Sequence, residues 1–156
     1  VIGEECDSAP ISVVDYALEL RHGREREAKR GIERPYDQIW CVFDCDEHED
    51  LSKALDKARA NNLKVALSTP CFEFWYLLHF DYTTRGFRNP AEVIDMLKQH
   101  IRDYDKSSAP LDVLLPKLDS AMDHASKLRT HNKDTDSKCP ATDVDLLVKQ
   151  LQAIHR

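Results

Sequence analysis

Apolar and polar positions along the chain follow two periods. After Pro10, the residues Ile11, Val13, Val14, Ala17, Leu18 and Leu20 recur at the spacing of an amphipathic helix, with Asp7 or Ser8 available as its N-cap. The next stretch is charged: from Glu19 to Arg34 six Arg and Lys alternate with four Glu. Interleaved signs of this kind mark a solvated helix face or a mobile arm, and an arm on nucleic acid is the alternative reading. Pro35 closes the region. Ile39 to Phe43 is then a continuous apolar run of strand length, rich in β-branched and aromatic residues, which predicts a buried central strand. Leu51, Ala54, Leu55 and Ala58 predict a helix over 51–61 that stops at Asn61-Asn62, and Val65-Ala66-Leu67 predicts a second buried strand ending at Ser68-Thr69-Pro70. Strand, helix and strand in about 30 residues make a βαβ unit with a right-handed crossover.

Beyond Pro70 the pattern turns helical. Cys71 to Phe80 sets seven large apolar residues around Glu73 and His79 and predicts a nearly all-buried helix. Val93, Ile94, Leu97, Ile101 and Tyr104 form one stripe; Leu118, Ala121, Met122, Ala125 and Leu128 form another. Residues 130–140 read as a polar loop, after which Thr142 or Asp143 caps a last helix with Val144, Leu147, Val148, Leu151 and Ile154 inward. The expected fold is α/β, a parallel sheet flanked by helices with a helical C-terminal layer. It forms one domain over 1–156, with a βαβ core in 1–80 and a helical part in 81–156. An apolar Val1-Ile2 before Gly3 looks like the end of a strand already under way, so a missing first strand and a longer parent protein are expected.

Composition narrows the function classes. The 156 residues are 42% hydrophobic and 32% charged, the usage of a compact globular chain. Twenty-two Lys and Arg against 28 Asp and Glu give a net charge of −6, so no global basic field draws in nucleic acid, and any such contact must be local or metal-assisted. No run approaches the roughly 18 apolar residues of a membrane span, which argues against a membrane partner. Five cysteines without a C-x-x-C pair speak against a disulfide framework and a zinc ribbon and for a reducing cytoplasm. Cys41 and Cys45 stand about 13 Å apart along a strand at roughly 3.3 Å per residue, too far to share a zinc ion with His48 and Cys71. The chain has no glycine-rich phosphate loop, so nucleotide cofactors are not expected.

The chemistry concentrates after the first strand. Asp44-x-Asp46 follows the buried run at once, and alternate residues of an extended segment point the same way, so both carboxylates can converge on one hard cation, Mg²⁺ or Mn²⁺. Glu47 and His48 adjoin them. The bland alternative is a solvated acidic turn that caps the helix from Leu51. Glu73 is a carboxylate inside an aromatic run, where it must pair, cap the new helix or bind metal. His79 reads as a core histidine bonded to a backbone carbonyl. Lys106, expected at a helix end, either satisfies terminal carbonyls or steadies a phosphate.

Trp40-Cys41-Val42-Phe43-Asp44-x-Asp46-Glu47-His48, together with Ser68-x-Pro70-Cys71-Phe72-Glu73-x-Trp75-x-Leu77-Leu78-His79-Phe80, resembles the RloB family. The resemblance continues through Tyr104-x-Lys106 and Pro140-x-Thr142-Asp143-Val144. Members look like Toprim-fold proteins encoded beside bacterial restriction-modification and abortive-infection genes. The resemblance implies a core in which a Glu after the first strand and a D-x-D after a later one bind Mg²⁺ for phosphodiester chemistry. The D-x-D carries over to Asp44 and Asp46. The Glu does not: in the family it lies upstream of anything matching Val1-Ile2-Gly3, and Glu4 and Glu5 do not replace it. Thr69 stands where the family commonly has Asn.

Three functions are compatible with these residues. The first is a Toprim-type nuclease of anti-phage defence acting on DNA or RNA. Asp44 and Asp46 hold the metal, His48 and Glu73 complete or orient its shell, Lys106 steadies the phosphate, and a protein from the same operon is a possible partner. The second is a phosphohydrolase of the haloacid dehalogenase type, with Asp44 as nucleophile; there a Thr stands two residues after the second Asp, where this chain has His48. The third is a non-catalytic module that binds a partner or nucleic acid.

Overall fold

The computed structural model describes residues 9–45 and 50–154. The expected N-caps Asp7 and Ser8, the opening Val1-Ile2, Glu4 and Glu5, and the group Asp46, Glu47 and His48 lie outside the described residues. The chain divides into two compact units, residues 1–43 with 47–65, and residues 44–46 with 66–156.

In the first unit, α1 (Pro10–Lys29) packs on α2 (Leu51–Ala60). The N-cap of α1 is Ala9, with extended backbone and no side-chain cap, and Pro10 follows in the first turn, where its missing N–H costs nothing. Only Pro10, Val14 and Ala17 of α1 are buried; α2 answers with Ala54 and Ala58, small residues that let the two helices approach closely. Ion pairing of Lys57 with Asp15 and a 2.6 Å bond from the Arg21 guanidinium to Asn61 O fasten the pair at its edge. Asn62, at φ +56°, takes the left-handed turn that stops α2, as the Asn-Asn pair predicts. The charged stretch is neither loop nor loose arm at its start: α1 remains helical to Lys29.

Strands β1 (Trp40–Asp44), β2 (Lys64–Thr69) and β3 (Ala141–Thr142) form one sheet in the order β1-β2-β3. Lys64 N donates to Ile39 O (2.9 Å) and Cys45 N to Ser68 O (2.7 Å), the same order along both segments, which is the sense of a parallel pair. β3, however, runs antiparallel to β2, pairing Ser68 with Thr142 and Thr69 with Ala141. The sheet is mixed, therefore, and not the parallel one expected from the sequence; a two-residue strand has too few positions to show a period. Among the described residues β2 lies in the middle of the sheet and β1 beside it, and along β1 Cys41 and Phe43 are buried while Val42 is 37% exposed.

The second unit is the helical layer. α3 (Glu73–Leu77) packs against α4 (Pro90–His100), α6 (Leu118–Thr135) and β3, around Phe74, Leu77, Leu78, Val93, Leu97, Ala121, Ala125 and Leu128. α5 (Leu111–Leu114) and a 3₁₀ turn (Leu115–Lys117) lead into α6, and α7 (Val144–Ile154) closes the chain. Four expectations are corrected. The regular helix after Cys71 is only five residues long, although its flanking turns keep Cys71, Leu78 and His79 buried. α4 ends at His100, before Tyr104. α6 runs on to Thr135, taking the first half of the 130–140 segment, with a left-handed cap at Asp136, and only 136–140 lies outside a helix. On α7, Leu151 and Ile154 are exposed at 51% and 76% instead of facing inward. Among the described residues no helix is long and apolar enough to cross a membrane.

One position tests the packing account of α1. Gly23 is inside the helix, and a Cβ there would meet nothing within 4 Å. Gly23→Ala should stabilise the protein by roughly 0.5–1 kcal/mol through helix propensity alone. Thermal denaturation should show a rise in Tm of a few degrees, with unchanged far-ultraviolet circular dichroism.

A buried carboxylate at the strand ends

The cluster of interest belongs to the second unit and gathers where β1 and β2 end. Asp44 is the last residue of β1; β2 ends at Thr69, and a cis peptide to Pro70 turns the chain into Cys71 and α3. Cys71 is 1% exposed and Glu73, the first residue of α3, is 5% exposed. The helical position is set by the apolar neighbours: Phe74, Trp75, Leu77 and Leu78 are all buried, and on a helix wanted inward on several sides Glu73 is carried in with them.

A carboxylate so placed requires a partner. It has two, both from the turn after α4. Lys106 Nζ lies 3.0 Å from Glu73 Oε1, and the Tyr104 hydroxyl donates to the same oxygen at 3.3 Å. That turn is shaped by its own residues: Tyr104 N bonds to Ile101 O (3.1 Å), and the Asp105 carboxylate accepts from Ser107 N (2.7 Å) and from the Ser107 hydroxyl. Tyr104 is itself buried, edge-on to Tyr76 at 6.2 Å, which in turn meets Phe72 at 5.2 Å. An aromatic buttress thus fixes the phenol that fixes the carboxylate.

The electrostatics are those of a half-dry site. Burial pushes the Glu73 carboxyl up, but the Lys106 ammonium, the local backbone and the Cys71 thiol outweigh it and hold the group below its ordinary range. Lys106 is raised, first by its bond to Glu73, with Cys71 and Asp44 adding to it against some burial. Burial, then Glu73 and Asp44, push the Cys71 thiol up to about 12, which leaves it protonated and unreactive. The Tyr104 phenol is raised by burial and then by Glu73, so it stays a donor.

Of the residues singled out in the sequence, Asp44, Glu73 and Lys106 come together here. Lys106 is neither at a helix end nor on terminal carbonyls, because α4 stops at His100. His79 is the core histidine expected: its Nδ1 bonds Trp75 O at 3.0 Å and burial lowers its pKa. Sequence reasoning missed Tyr104 and Cys71 as neighbours of Glu73, although Tyr104-x-Lys106 was conspicuous as a motif. Among the described residues no group of three or more His, Cys, Asp or Glu is assembled as a metal site.

Beyond this cluster, Ser68 and Thr142 join their hydroxyls at 3.0 Å between β2 and β3, and Arg129 bonds Asp145 at 2.5 Å and Thr142 O at 3.3 Å. These bonds hold the short β3 and the start of α7 in place.

A small mixed sheet flanked by helices, with an acid–lysine cluster at the ends of its paired strands, defines an α/β protein built around a polar strand edge. The family model for RloB-like protein matches residues 1–151, and the chain belongs to that family. No curated protein and no solved structure matches it.

Removing the ammonium isolates the balance at Glu73. In Lys106→Met, burial is opposed by fewer groups, and the Glu73 pKa should rise, followed by carbon-detected magnetic resonance of the side-chain carboxyl. The sign for stability follows. A carboxyl depressed in the fold lends stability that is present above about pH 4.3 and is lost as pH falls through the folded value. Lys106 lends stability that is present below about pH 10.4 and is lost as pH rises through its folded value. Wild-type protein should therefore lose more stability than the variant on acidification below about pH 4. An unchanged Glu73 titration in the variant would show that the ion pair does not control the carboxyl.

Proposed function

We propose that the chain is a Toprim-type phosphodiesterase, dependent on Mg²⁺ or Mn²⁺, that cuts DNA or RNA in bacterial anti-phage defence. One observation carries the reading: Asp44 ends β1 within electrostatic reach of Lys106 and Cys71, beside a Glu73 already neutralised by its own cation. Carboxyl ends of strands in open α/β sheets are where such chemistry is placed.

The chemistry of Asp44 supports a hard divalent cation. Mg²⁺ takes oxygen ligands, keeps several waters, and needs only one or two protein carboxylates when phosphate oxygens supply the rest. Asp44 is of that type, and Asp46 and His48 follow it in the sequence. When bound, the ion would polarise a phosphoryl oxygen and lower the pKa of a water. The remaining work falls to the chain. Lys106, whose side chain is 61% exposed, presents its ammonium to solvent while Glu73 anchors it, and so is able to offset charge on a phosphate at the strand edge. Glu73 then acts by orienting Lys106, with its own oxygen occupied by Lys106 and Tyr104. The phenol of Tyr104 and the thiol of Cys71 remain protonated and compete for no cation.

The test is cleavage of labelled single- and double-stranded DNA and RNA with Mg²⁺. Asp44→Ala should lose about 100-fold or more in rate, since metal-assisted charge stabilisation contributes several kcal/mol, and chelation should do the same. Undiminished cleavage by Asp44→Ala would refute the reading. Hydrolysis of small phosphate esters through an aspartyl-phosphate trapped at Asp44, with no nucleic acid cut, would replace it with the phosphohydrolase.

A further inference from the structure

The charged half of α1 is the largest feature that neither packing nor the strand-end cluster uses. No residue of α1 beyond Ala17 is buried, yet the helix runs on to Lys29, about 18 Å further at 1.5 Å per residue. A helix polar on all sides needs side-chain pairs or a partner. Pairs account for part of it. Arg21 is spent on Asn61 and, at 3.9 Å, on Glu25. Arg24 bonds Glu33 at 2.6 Å and lies over the Tyr36 ring at 4.7 Å, which folds the segment after the helix back along its last turns. Gly31, at φ +72°, makes the reversal, and Ile32 N returns to Glu27 O at 3.1 Å.

This arrangement sorts the charges. Glu25 and Glu33, two of the acids in the stretch, are consumed by Arg21 and Arg24. Arg26, Lys29, Arg30 and Arg34 are exposed and have no ion pair among the described residues; Glu19, Glu27 and Asp37 are the acids of the segment that no ion pair among the described residues uses, Glu19 lining one hollow with Arg26 and Lys29. Favourable contact with the helix C-terminus explains Arg26 and Lys29 in the last turn and Arg30 at the C-cap, but not Arg34, which lies beyond it. The result is a cationic tip on a chain whose net charge is −6.

We propose that this tip, Arg26, Lys29, Arg30 and Arg34, is a sequence-independent contact for the phosphate backbone of nucleic acid. Arginines dominate it, and the guanidinium fork matches phosphate oxygens. Two large apolar side chains, Ile32 and Tyr36, are exposed in the reversal, and Tyr36 lies under the Arg24 guanidinium, too little to seat the tip in a lipid surface. The assignment rests on the nucleic-acid reading above, and it gives that reading a gripping surface separate in sequence from Asp44.

The experiment measures binding without cleavage. The chain carrying Asp44→Ala, in chelator, is titrated with labelled single- and double-stranded oligonucleotides over a range of salt. Replacing all four cations with Gln should weaken binding about tenfold or more and reduce the slope of log K against log salt by about 3 to 4. Circular dichroism checks that α1 persists. Replacing the three arginines with Lys should restore the slope, because a phosphate contact needs charge. An unchanged slope in the Gln variant overturns the proposal. So does a Gln variant that loses binding only to mixed phosphatidylcholine–phosphatidylserine vesicles. A chain that grips through the tip but cuts nothing upholds this contact and sinks the nuclease reading; one that cuts, with binding indifferent to the Gln changes, does the reverse.

Discussion

Burial of the Glu73 carboxylate is the constraint around which the second unit is arranged. Leaving a charged group in an apolar surrounding costs far more than any single packing contact returns, so the chain must bring a cation and a donor to it. Both come from one turn about 30 residues downstream. That obliges α4 to end at His100 and the chain to reverse through Tyr104, Asp105 and Lys106 against α3. The aromatic contacts from Phe72 through Tyr76 to Tyr104 then serve two purposes, filling the core and aiming a hydroxyl.

The same constraint gives the site its character. Because Glu73 is neutralised within the fold, Lys106 is tethered at one end and open to solvent along most of its side chain. Asp44 at the end of β1 lies within electrostatic reach of that charge, and the thiol of Cys71 is held inert by burial. A site of this kind suits an anion approaching from solvent with its own cation. The cationic tip of α1 presents the opposite circumstance, arginines with no ion pair among the described residues.

Legibility in the sequence followed the length and regularity of each element. α2, β2 and α6 carry several apolar residues at a fixed period, and their cores were apparent: Ala54 and Ala58, Ala66, and Ala121, Ala125 and Leu128 are all buried as their spacing requires. Asp44 and Glu73 were legible as chemistry because a carboxylate beside or within an apolar run is improbable unless it is used. The pairing of Glu73 was not, since Tyr104 and Lys106 touch it only after α4 has ended, and the apolar stripe through Ile101 and Tyr104 reads as one continuous helix. Leu151 and Ile154 mislead in the opposite sense: their spacing is that of an inward face, but nothing described covers them.

What the sequence determined by itself was the local order of helices and strands, the family to which the chain belongs, and the two places where charge departs from pattern, the acidic strand end and the charged half of α1. Tertiary structure alone decided, among the described residues, which strand lies in the middle, that β3 joins it antiparallel, which oxygen receives Lys106, and which arginines have no ion pair. Periodicity reports what one segment does with water. Strand order, ion pairing and exposure depend on contacts between segments far apart in the chain, as between Ser68 and Thr142 or Glu73 and Lys106, and those distances are fixed only when the chain folds.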